Sequence, residues 1–227
     1  MLRIIAALAA VVLAGAAAAQ DRSVPLTERT DRVQLESRRG PSLLRPGFAL
    51  GEYAGVAVTR AATTRLFGRS DTARAEITIT LPEGGEVTAR CAGGESRVSF
   101  LWIPFDRDPL AYACDYAGAA PESAAMDLAF ARGSFVQRLQ QPQRAGEFVW
   151  GDVRLRFRTE AVGNAPWGGG RVMGYVFTRD GVEIGGVALS GLRPTAYLPP
   201  AGSPDREAAA VLAISLIFFM DPANNTD

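Results

Sequence analysis

"DREAAAVLAISLIFFMDP", residues 205–222, is apolar on every side at its centre, and its reading decides the fold. The uninterrupted apolar run is Ala208–Met220, with Ser215 the one hydroxylated residue inside it. As a helix it is roughly 20 Å long at 1.5 Å per residue. A hydrocarbon core needs about 30 Å, and runs of 10–14 residues usually become core helices. Ser203 as cap, Pro204 at the first helical position and Asp205 at the positive end of the dipole predict a start near 204. Pro222 sets the far limit. A central helix over 204–220, with Leu212, Leu216, Phe218 and Phe219 as its core residues, is therefore expected. The competing reading is a membrane anchor formed by 208–220.

A helix that is apolar all round must be covered all round. One flat sheet covers one side; a closed barrel covers every side. The upstream sequence supplies short runs of period two. In "AEITITL", Ile77, Ile79 and Leu81 share one face, with Glu76, Thr78 and Thr80 on the other. In "DVRLRFR", Val153, Leu155 and Phe157 alternate with Arg154, Arg156 and Arg158. Such alternation suits a sheet with one wet and one dry face. Further strands are expected at 53–60, 86–92, 98–103, 110–116, 126–132, 144–150, 171–178, 182–189 and 195–198. Asp180-Gly181, Gly151-Asp152 and Gly84-Gly85 supply tight turns. The expected fold is mainly β: a closed antiparallel barrel of about twelve short strands around a buried hydrophobic C-terminal helix. Ile77, Leu155, Phe157 and Phe177 are expected to pack on that helix. One domain of about 31–222 is expected, its barrel over 48–222. A polar segment at 20–47 precedes it, in which "DRVQLESRR" makes a first strand or an extended arm; residues 223–227 form a tail.

The N-terminus, "MLRIIAALAAVVLAGAAAAQ", reads as a signal peptide over 1–19. Arg3 supplies the charge, Ile4–Leu13 the apolar stretch, and Ala17–Ala19 the small residues before cleavage at Gln20. No Cys follows, so there is no lipoprotein processing site. The competing reading is an uncleaved anchor helix. Export to the periplasm or beyond follows from the first reading. In that compartment the two cysteines, Cys91 and Cys114, are expected to bond, stabilising the fold by roughly 3 kcal/mol.

Composition removes several chemistries. There is no His, and all 24 basic residues are Arg, balanced by 24 acidic ones. No imidazole is available as a base or metal ligand, and no lysine for a Schiff base. The balanced charge offers nothing for nucleic acid. "ALSGL" around Ser190 lacks the nucleophile frame, and a His triad cannot be assembled. Asp106, Asp108 and Asp115 form no calcium loop and read as turn acids or paired carboxylates. Arg154, Arg156 and Arg158 are a candidate anion or lipid contact, or a solvated face paired with acids on the next strand. "GNAPWGGGR", residues 163–171, is a candidate binding loop through Trp167 and Arg171, or a plain connection. It is no phosphate loop, having no Lys.

Many short strands, then "GYVFTRDGVEIGGVAL" (174–189), then an apolar C-terminal helix, resemble the tubby-like superfamily. It comprises the tubby C-terminal, scramblase-like and LURP-one-related proteins. The resemblance spans about 48–222 and is sharpest over 174–221. It implies a barrel of about twelve strands threaded by its C-terminal helix, and no catalytic residue. Some members bind phosphoinositides through basic residues, a site with no residue-by-residue match here. The expected function is an exported, non-catalytic envelope protein, a binding or structural module without cofactor or metal. Its partner is unknown, with a lipid or envelope component the candidate. The alternative is a lipid-binding or lipid-sensing membrane protein anchored by 208–220.

Overall fold

The computed structural model describes residues 25–42, 45–64, 70–94, 111–130, 144–160, 162, 174–190 and 192–219. A single helical turn, α1 (Leu26–Arg29), opens the described chain. Twelve strands follow: β1 (Asp31–Ser42), β2 (Arg45–Leu50), β3 (Tyr53–Thr64), β4 (Ser70–Thr80), β5 (Glu86–Gly94) and β6 (Ala111–Gly118), then β7 (Ala125–Phe130), β8 (Arg144–Trp150), β9 (Val153–Thr159), β10 (Gly174–Arg179), β11 (Val182–Ala188) and β12 (Thr195–Leu198). The helix α2 (Arg206–Ile217) ends the described fold. Each strand pairs antiparallel with its neighbours in sequence, and β1 pairs with β12 to close the barrel. The up-and-down order follows from local chemistry, since tight turns join strands that already lie next to one another. Asp180 and Gly181 both take positive φ (51° and 80°) between β10 and β11, as the Asp-Gly pair requires.

The wall is apolar inside, and several strands carry charged residues outside. Ile77, Ile79, Val87, Leu155, Phe157 and Phe177 belong to one buried cluster with Leu212 and Leu216. Glu76, Arg90, Asp115, Arg154, Arg156 and Arg158 face out and are exposed. This polarity is the reverse of a lipid-embedded barrel, which is apolar outside and polar within. The barrel also begins earlier than residue 48. The polar segment at 20–47 contains β1, whose Val33 and Leu35 turn inward while Arg32, Gln34 and Glu36 face out. Its charged side chains disguise a strand that buries only one face.

Twelve strands about 4.8 Å apart and tilted about 40° enclose a cylinder roughly 24 Å across. A helix about 10–12 Å wide fills it, leaving roughly 6–7 Å on each side for inward side chains. Every position from Ala208 to Leu216 is fully buried. Nine consecutive positions sample every direction around a helix, so the wall surrounds α2 completely. Four of the first six helical positions after Glu207 are Ala, which keeps the plug slim. Residues 208–216 therefore have no surface to offer a membrane. Among the described residues no helix is long and apolar enough to cross one.

The helix limits differ from 204–220. It starts at Arg206, and Asp205 at its cap makes no side-chain cap bond. Ser203 instead holds the preceding turn: the Asp205 N–H donates to its Oγ (3.4 Å) and the Arg206 N–H to its carbonyl (3.1 Å). That turn precedes the first α-helical residue, Arg206, and Asp205 at the cap accepts the first helical bond from the Ala209 N–H (2.9 Å). Phe218 and Phe219 lie past the last turn and are half-buried. They close the end of the core rather than extend its helix.

Three inward phenylalanines lie directly opposite a glycine on the adjacent strand: Phe48 on Gly55, Phe157 on Gly146 and Phe177 on Gly185. A Cβ on Gly146 would stand 2.4 Å from the Phe157 ring, and one on Gly55 2.8 Å from that of Phe48. At Gly146 and Gly55 the missing side chain lets the ring lie against the wall, whereas at Gly185 a Cβ would meet the Tyr197 carbonyl at 2.7 Å. The lumen keeps the width that α2 needs.

Candidate functional site

The arginine row on β9 stands outside the barrel, as the alternation predicts. Glu147 on β8 accepts a hydrogen bond from Arg154 Nη1 (3.2 Å). Arg158 pairs with Glu160 (2.7 Å) and reaches Glu183 on β11 (3.5 Å). Glu183 also faces Arg29 of α1, at 3.9 Å. Arg154 and Arg158 are thus compensated by Glu147, Glu160 and Glu183. Arg156 sits opposite Glu147 in the ladder and has no ion pair among the described residues.

The same face continues onto β7 and β6. Asp127 lies directly opposite Glu147, and Asp115 lies one diagonal step away on β6. Burial first, and then the charges of Asp115 and Glu147, push the Asp127 carboxyl up to about 6. Neither Asp127 nor Glu147 stands out in the sequence. Their adjacency is a product of strand register.

Inside, polar groups hold α2 at three heights. Trp150 Nε1 donates to Glu207 (2.9 Å) near its start. Deeper, the Ser215 hydroxyl donates to the Val211 carbonyl (2.9 Å), so the Tyr116 hydroxyl, 2.8 Å away, must donate to Ser215 Oγ. Desolvation raises Tyr116 well above the ordinary tyrosine range. At the far end Phe219 meets the edge of Tyr112 (centroids 4.6 Å) and the guanidinium of Arg144 (5.5 Å), while Phe218 meets Phe48 (4.9 Å). Burial also raises Tyr112, whose hydroxyl makes no hydrogen bond among the described residues.

The end of the barrel with the short turns is locked by charge. Arg206 bonds to Asp31 of β1 (2.7 Å), to Glu52 of the β2–β3 turn and to the Pro199 carbonyl. Its hydrogen bond to Glu52 holds that carboxyl below the usual range. Arg179 at the end of β10 pairs with Asp205. These contacts seat the first turn of α2 on the wall.

Cys91 and Cys114 are direct cross-strand partners on β5 and β6, joined by a disulfide and buried in the core. Trp167, Arg171, Asp106, Asp108 and the strand expected at 98–103 lie outside the described residues, as do 1–19, Pro222 and 223–227. Among the described residues no three His, Cys, Asp or Glu side chains come together as metal ligands. Comparison with known proteins returned no matching family model, no matching curated protein and no matching solved structure.

Proposed function

We propose that this protein is an exported, non-catalytic binding or structural module of the cell envelope, built on a tubby-like barrel. One observation carries the export reading: a buried disulfide, Cys91–Cys114, lies within the core of the fold. Such bonds persist in the periplasm and outside the cell, and thiols stay reduced in the cytosol. The charged outer wall supports work in water. The filled lumen supports a scaffold that meets its partners on the outer wall or at the barrel ends. The twelve-strand meander closing around its own C-terminal helix supports the tubby-like reading. A lipid or other anionic envelope component remains the candidate partner, met through the β9 arginines. An anchor formed by 208–220 has no support, because the wall already covers 208–216.

Expression of the full chain in a bacterial host tests this. The expected product is a mature chain beginning at Gln20, recovered from the periplasm without free thiols under denaturing, non-reducing conditions. A full-length chain in the cytosol carrying two reactive thiols would overturn the export reading.

A further inference from the structure

The outer row Asp127–Glu147–Arg156, one residue from each of β7, β8 and β9, has its charges in an unbalanced order. Glu147 already accepts from Arg154. The Asp127 side chain has no ion pair and no hydrogen bond among the described residues. On β6 it faces Ala113 directly and Asp115 on the diagonal. On its own strand the next outward residues are Ala125 and Ala129, and on β8 Ala145 and Val149 flank Glu147. Of the nearby cations, Arg90 stands opposite Asp115 on β5, and Arg154 and Arg156 stand beyond Glu147. Like charges directly opposite one another weaken a strand pair. We infer that Asp127 makes the β7–β8 seam acid-strengthened: protonated, it donates a hydrogen bond to Glu147 across the ladder, and ionised, it repels Glu147.

The sign follows from linkage. A folded carboxyl near 6, against 3.8 for the free group, means that the folded chain takes up the proton first. Stability from this group therefore rises as pH falls through about 6 and levels off below 3.8. That direction is opposite to Glu52, whose bond to Arg206 is lost in acid. The effect belongs to the barrel wall and stands independently of the export reading.

Thermal melts of the protein and of Asp127→Asn across pH 7.5 to 3.5 test it. At pH 7.5 the variant is expected to melt higher by about 2–4 °C, the shift that a modest change makes in a chain of this size. The gap is expected to narrow as pH falls through about 6 and to close below 3.8, where the carboxyl is protonated in the folded and the unfolded chain alike. A variant that melts lower at pH 7.5, or a gap that stays constant with pH, overturns the inference. Carboxyl-carbon NMR of the unsubstituted protein supplies an independent reading, with an Asp127 midpoint expected near 6. The midpoint should fall in Glu147→Gln. A midpoint near 4 in the parent protein, or one unmoved in the variant, overturns it as well.

Discussion

Ser215 interrupts an otherwise apolar helix, and its hydroxyl has one hydrogen to give. That hydrogen goes to the Val211 carbonyl, which makes Ser215 Oγ the acceptor for Tyr116. The two substitutions are therefore unequal. Tyr116→Phe leaves Ser215 bonded within its own helix and should cost about 1 kcal/mol. Ser215→Ala strands a buried phenol without an acceptor and should cost about 1–3 kcal/mol. The double variant should cost less than the two together, because nothing polar is left stranded. Urea unfolding of the four proteins measures this, and simple additivity would mean that no bond couples them. The sequence marks Ser215 as an anomaly in the run. It does not mark Tyr116, which is 99 positions away.

The strands and their faces were readable because alternation is local. Ile77, Ile79, Leu155 and Phe157 face inward as their spacing predicts, and Arg154, Arg156 and Arg158 face outward. Pairing between strands was much less readable. The three Phe–Gly partnerships, the Cys91–Cys114 bridge and the carboxylate row each depend on register. A slip of one residue would send all these side chains to the other face. Gly146→Ala tests how tightly that register is drawn. The added methyl would stand 2.1 Å from the Asp127 carbonyl and 2.4 Å from the Phe157 ring, so backbone or ring must move. A loss of about 1–3 kcal/mol is expected in denaturant unfolding, typical of an overfilled core. A neutral result would mean that the ring has free room and that the glycine does not set the width of the lumen.

At the level of the entire chain, barrel and helix are halves of one core. Among the described residues no other sheet packs on the inner wall, and α2 has no other cover. Removing 205–227 takes away nine fully buried positions and leaves inward residues such as Ile77, Phe177 and Leu198 facing an empty lumen. Each large side chain so uncovered forfeits roughly 1.5–3 kcal/mol. Against a usual total stability of about 5–15 kcal/mol, the truncation should not fold. Circular dichroism and a melting curve decide the matter: a soluble truncation that melts cooperatively would show a barrel stable without its plug. Length and composition alone marked residues 208–220 as a short apolar segment that favours a core helix over a membrane anchor, because both limits are set by the segment itself. The tertiary structure alone decided that β1 closes on β12, that Arg206 finds Asp31 and Glu52, and that Asp127 stands against Glu147. The first two join residues far apart in the chain and need the closing of the cylinder, whereas Asp127 and Glu147 need the register of β7 on β8.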